Sequence, residues 1–204
     1  MNLEKVEKAT RVLFVILFLI SFFIGIFYKN TYSVLVSFIS IILIISSRRF
    51  NNKKGIEIES SISIIFLVFV FMSNFLGEFL NFYGKFWFWD LILHSSAGFL
   101  LGLFGVSLVY LINKDSKDMK LNPFFVAFFG FCFAMTLSVF WEFFEFFMDS
   151  VFKTNMLKSG LDDTMGDLIV AAIGAGIVSL FGYLGLKHYY KRAVKFLKKL
   201  VTKS

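Results

Sequence analysis

Apolar residues run in long blocks along this chain, and polar residues collect at the block ends rather than alternating with them. The blocks predict helices over about Val12–Tyr28, Tyr32–Ile45, Ile62–Phe82, Phe88–Ile112, Phe124–Met148 and Leu168–Leu186. Each is long enough, or nearly so, to cross about 30 Å of hydrocarbon as a helix. The second is the shortest, and whether it spans fully is left open by its length. Open sheet edges would strand backbone amides and carbonyls in lipid, so helices are the element to expect. Beyond the sixth block, Tyr190, Ala193, Val194, Leu197, Leu200 and Val201 recur at helical spacing with lysines between them. That pattern predicts a basic amphipathic helix in the tail, 187–204, lying on the bilayer surface; a frayed basic end is the alternative.

The reading is therefore all-α: one integral membrane domain over residues 1–204, a polytopic helix bundle of about six transmembrane helices. Composition agrees, because 58% hydrophobic residues and a single Pro do not suit a water-exposed surface. The 31 Phe residues read as lipid-facing side chains. Lys5, Lys8 and Arg11 before the first block resemble a signal peptide's start, but no small-residue cleavage site follows Tyr28, which predicts an uncleaved span. Cys132 stands alone within the fifth block, which excludes an intrachain disulfide and a Cys-based zinc site.

Lys and Arg set orientation by accumulating on the cytoplasmic side. Of the 21 basic residues, 17 fall in the N-terminus, the second and fourth connections and the tail, leaving Lys29, Lys85, Lys153 and Lys158 in the alternate connections. Both termini are thus expected inside. The pI near 9.4 then reflects charge flanking the spans, so the expected partners are the lipid bilayer and anionic lipid at the tail, with no nucleic acid.

Acidic residues divide the other way. Glu78, Asp90, Glu142, Glu145, Asp149, Asp162, Asp163 and Asp167 all fall on the expected outer half. Asp90 and His94 are one turn apart; Glu142, Glu145 and Asp149 form one stripe; Asp163 and Asp167 repeat the four-residue spacing at the start of the sixth helix. A carboxylate in hydrocarbon costs about 2.5–3.5 kcal/mol, so a cation, protons or basic partners must offset several together. Oxygen donors with one imidazole suit Mg²⁺, Mn²⁺ or Zn²⁺, and Asp90, His94, Glu142, Glu145 and Asp167 are the candidate ligands. Glu145 or Asp163 is the candidate general base, because crowded carboxylates in apolar surroundings suit proton transfer. The bland alternatives are that Asp162 or Asp163 caps a helix, that Asp149 is solvated in a loop, and that His94 makes only an interhelical hydrogen bond.

Trp87, Trp89, Trp141 and Tyr83 fit an aromatic belt at the outer boundary. Gly98 and Gly102, Ala171, Ala175 and Ser179, and Ala172 and Gly176 form small-residue seams that should bring the fourth and sixth spans together, dimerisation being their other use. The run GAG at 174–176 lacks the spacing of a dinucleotide loop, and neither a GxSxG elbow nor an HExxH helix occurs.

The blocks WDLILHSSAGFLLG (89–102), WEFFEFFMD (141–149) and DDTMGDLIVAAIGA (162–175) resemble the YjdF-like bacterial inner-membrane proteins and, more widely, the VanZ-like pattern. Leu91 and Ala171 stand where members of the former tend to carry Lys and Asn. The resemblance implies a multi-pass protein of the bacterial cytoplasmic membrane, and the VanZ-like pattern adds a link to glycopeptide tolerance. Three functions remain open: a metal-dependent site acting on an envelope lipid or phosphate-bearing group, a small proton-coupled transporter or solute-binding subunit, and a structural or accessory membrane protein.

Overall fold

The computed structural model describes residues 3–53, 60–113 and 122–201; these are helical throughout, with no strand among them. In chain order the helices are α1 (Leu3–Phe27), α2 (Thr31–Lys53), α3 (Ser60–Val70), a π-helical continuation (Phe71–Phe79), α4 (Phe82–Lys85), α5 (Trp89–Asn113), α6 (Pro123–Phe152), α7 (Leu161–His188) and α8 (Tyr190–Val201). Five stretches among the described residues are long and apolar enough to cross a membrane: Leu3–Phe27, Ser60–Phe79, Trp89–Val109, Pro123–Phe152 and Leu161–His188. The expected second span is a helix, but its apolar part, Ser33–Ser46, is shorter than these. Large side chains such as Phe143, Phe146 and Phe181 are exposed on the helices, as lipid-facing residues must be.

Helix ends extend past the apolar blocks because polar residues join the helices wherever they find partners. Asn122 caps α6 by accepting from the amides of Phe124 and Phe125, with Pro123 in the first turn, where its missing N–H costs nothing. Helix α7 starts at Leu161, well before the expected Leu168, with Asp162 and Asp163 in its first turn; Gly160 occupies the cap position and no side chain caps it, so neither aspartate has the expected capping role. Acidic residues are favourable there through the helix dipole.

The described residues form two compact units, one made of the chain up to Trp89 with the residues from Lys199 on, the other running from Asp90 to Lys198. In the first, Phe14, Phe18, Ile44, Leu67 and Val70 form the core, with Phe71 and Phe75 packed against it. The Phe14 and Phe71 rings stack at 4.4 Å. Arg11, one of the basic residues that precede the first apolar block, is buried. It donates to Glu7 Oε1 (2.8 Å), to Ser63 Oγ (3.0 Å) and to the Ile44 carbonyl, binding α1 to α2 and α3. Further polar ties run from Ser37 to Ser21 (2.9 Å) and from Asn74 to Ser40 (2.7 Å). Such interhelical bonds hold helices together where hydrophobic burial gives no preference over lipid. The π-helical segment includes Gly77, where a Cβ would lie 2.4 Å from the Tyr83 ring, so only glycine fits beneath that tyrosine.

In the second unit, small residues let backbones touch. A Cβ on Gly98 would fall 2.2 Å from the Ala171 carbonyl oxygen, and one on Gly174 would fall 2.1 Å from that of Ser95. The seam expected between these two helices is therefore present between α5 and α7. Gly176 departs from the expectation: nothing lies within 4 Å of its would-be Cβ, so it takes no part in the contact. Gly130 of α6 sits against Val106 and the Gly102 carbonyl of α5, completing a three-helix unit. The GAG run is mid-helix in α7, which excludes a phosphate loop there. Helix α8 keeps Leu197 buried and places Ala193 beside Gly185, so part of its apolar side packs on α7.

Candidate functional site

Three helices of the second unit bring their acidic residues to one place. Asp90 lies in the first turn of α5 and His94 one turn further on; Glu142 and Glu145 come from the C-terminal half of α6, and Asp167 from the second turn of α7. The α5–α7 seam explains the approach, because Ser95, next to His94, touches Gly174, two turns beyond Asp167.

His94 is at the centre. Its Nε2 lies 3.5 Å from Asp90 Oδ1 and 3.8 Å from Asp167 Oδ2, and its Nδ1 lies 3.7 Å from Glu142 Oε1. Donor atoms of Asp90, His94 and Asp167 lie within 4.8 Å of one another, and so do those of His94, Glu142 and Glu145. All five sequence-derived ligand candidates thus converge, in two triads sharing one imidazole. Glu142 is 4% exposed and Asp167 1%. Both carboxylate oxygens of Glu142 and Oδ1 of Asp167 are buried without a close hydrogen bond, Glu142 having only the looser approaches of His94 and the Thr164 hydroxyl. Buried polar atoms are almost always paired, so these carboxylate oxygens beside an imidazole are exceptions that call for an explanation.

The remaining acids separate from this group. Asp163 is half-buried with an unpartnered Oδ2, but belongs to neither triad. Asp162 is exposed. Asp149, drawn from the sequence into one stripe with Glu142 and Glu145, turns to the α6–α7 connection. There it accepts from Thr154 Oγ1 (2.6 Å), the Met156 amide (2.6 Å) and the Leu157 amide (2.9 Å). Those bonds hold a connection in which Lys153, Asn155 and Lys158 all adopt positive φ, a conformation that side chains other than glycine disfavour. Glu78 belongs to the first unit.

Two contacts escaped sequence reasoning. Lys158, carried by that tight connection, pairs with Asp90. Only the fold brings together residues 68 positions apart. Trp141 donates its indole N–H to Glu145 Oε1 at 2.8 Å and so orients a candidate ligand, beyond the anchoring role expected of it. Its four-residue spacing from Glu145 was a visible signal for that bond.

The family described as a predicted membrane protein, DUF2238, matches residues 9–188, nearly the whole chain. The chain belongs to that family. The match takes in all five residues of the two triads. An uncharacterized protein of Thermotoga maritima is 34% identical over 118 residues, covering 58% of this chain and 59% of that protein. No solved structure matches the chain. DUF2238 membership thus agrees with the helical, lipid-facing build and gives the cluster no chemistry beyond that of its side chains.

Proposed function

We propose that the chain is a multi-pass protein of a bacterial cytoplasmic membrane, with both termini inside, and that its α5–α6–α7 cluster is a divalent-cation site near the outer surface. The buried oxygens of Glu142, beside His94 and without a close hydrogen bond, carry this reading. Two donors about 2.1 Å from a common ion and about 90–110° apart lie about 3.0–3.4 Å from each other. The 3.5–3.8 Å separations around His94 are only slightly wider, so the side chains can close on an ion with small rotations. Either triad, two carboxylates and the imidazole, favours Mg²⁺, Mn²⁺ or Zn²⁺ over softer metals. A carboxylate left on the far side of His94 would orient the ring, as second-shell carboxylates do. A metal at headgroup depth with Lys158 beside Asp90 suits a phosphate-bearing or envelope-lipid substrate, an assignment in keeping with the VanZ-like pattern. Glu145 and Asp163 remain the candidates for a base.

Elemental analysis of purified protein tests the site. Wild type should carry close to one equivalent of a divalent metal after dialysis, and Glu142→Gln and Asp167→Asn should carry almost none. Equal, trace metal in all three would remove the reading. A second reading, proton-coupled transport, rests on His94 standing 3.5–3.8 Å from carboxylates of three helices, a set of groups able to pass protons. Metal-free protein whose proteoliposomes acidify on adding a solute would favour it.

A further inference from the structure

We propose that a groove walled by α5, α7 and α8 binds one anionic phospholipid, an acyl chain along its floor and the headgroup against Arg192. This site is separate from the acidic cluster and does not depend on its chemistry. The groove has a volume of about 650 Å³, within the range of about 300–1,000 Å³ typical of small-molecule sites. Phe99, Leu103 and Val106 of α5, Val178 of α7 and Phe196 and Leu197 of α8 supply its apolar lining. Gly182 and Gly185 of α7 also line it and add no side chain of their own.

Polarity changes in one direction along the groove. Phe99 and Val178 lie mid-helix, whereas Tyr189 and Arg192 line it where α7 ends and α8 begins. That order is a lipid's own: hydrocarbon deep in the bilayer, headgroup at the surface. The Arg192 guanidinium lies over the Tyr189 ring at 5.9 Å, which steadies it at the mouth. Arg192 is the charged residue among those lining the groove, and no acidic residue follows Asp167 in the chain, while Lys187, Lys191 and Lys195 surround the same end. A zwitterionic headgroup would bring an ammonium to a groove that, among the described residues, has no carboxylate in its lining to receive it. An anionic phosphate meets Arg192, the charged residue of the lining.

Native mass spectrometry of the delipidated full-length chain, titrated in detergent with phosphatidylglycerol, phosphatidylcholine or oleate, tests the proposal. One phosphatidylglycerol should bind, in preference to phosphatidylcholine by about fivefold or more, the equivalent of about 1 kcal/mol for a basic residue facing an anionic headgroup. Arg192→Gln should remove the preference, and Lys191→Gln, outside the lining, should keep it. Gly182→Leu, which fills the floor, should cut binding of both phospholipids. If that variant does not fold, Leu103→Trp fills the same space from α5 and serves instead. Equal binding of the two phospholipids would overturn the proposal. So would equal loss of preference in Arg192→Gln and Lys191→Gln, which would mean diffuse surface charge. Oleate binding as tightly as phosphatidylglycerol would also overturn it, in favour of a fatty-acid site.

Discussion

Gly174 and Gly176 stand two residues apart on α7, about 200° around the helix, and one methyl group should act oppositely at the two positions. At Gly174 a Cβ would lie 2.1 Å from the Ser95 carbonyl oxygen and 3.0 Å from the Phe99 amide nitrogen. Carbon and oxygen in contact sit about 3.3 Å apart at closest, so α5 and α7 must separate locally by about 1.2 Å. The obstruction is backbone, which cannot rotate away, and places Gly174→Ala at or above the upper end of the usual overpacking cost of about 1–3 kcal/mol. Separation would also reach the site, because Ser95 adjoins His94 and Asp167 lies on the displaced helix. Gly176→Ala meets nothing within 4 Å and should gain up to about 1 kcal/mol of helix propensity. Thermal unfolding in detergent, followed by tryptophan fluorescence, reads both. At about 2–4 °C per kcal/mol for a chain of this size, Gly174→Ala should melt about 6–12 °C below wild type and Gly176→Ala at or slightly above it. Metal content should fall in the first and hold in the second. Equal melting temperatures for the two variants would refute the close α5–α7 contact and the placement of the site that depends on it.

Other substitutions separate folding from binding. Glu142→Met replaces two buried oxygens that lack a close hydrogen bond with an apolar chain of similar volume, so the metal-free protein should gain about 1–3 kcal/mol in urea unfolding while metal binding is lost. Trp141→Phe removes the indole donor to Glu145 and should weaken metal affinity about 10-fold in competitive chelator titration, with the fold intact by circular dichroism. Arg11→Ala leaves Glu7 without its buried partner and should cost about 3–5 kcal/mol, whereas Glu7→Leu with Arg11→Met should cost much less; a chemical-denaturation double-mutant cycle measures the difference.

Much of this architecture was legible in the pattern. Long apolar blocks gave the helices, and Gly98 with Ala171 announced the seam that joins α5 to α7. Spacing alone put Asp90 with His94 and Glu142 with Glu145. What spacing could not supply was the outcome of competition for each carboxylate. Asp149 shares a stripe with Glu145 on paper, but the α6–α7 connection offers it two amides and a hydroxyl, and it turns there instead. Arg11 entered the sequence only as one of the basic residues flanking the first block; the acceptors that bury it, on Ile44 and Ser63, are long-range. The apolar runs also understate the helix lengths. An apolar-run criterion stops at the first aspartate, whereas α7 carries Asp162, Asp163 and Asp167 inside its first two turns, two of them favoured by the dipole and the third turned to the cluster.

Anomalous scattering at the manganese edge from protein loaded with Mn²⁺ addresses the central claim most directly. A single strong peak within coordinating distance of His94 and the Glu142 carboxylate, absent in Glu142→Gln, is the predicted result. Well-ordered side chains at those positions with no peak above background would contradict it.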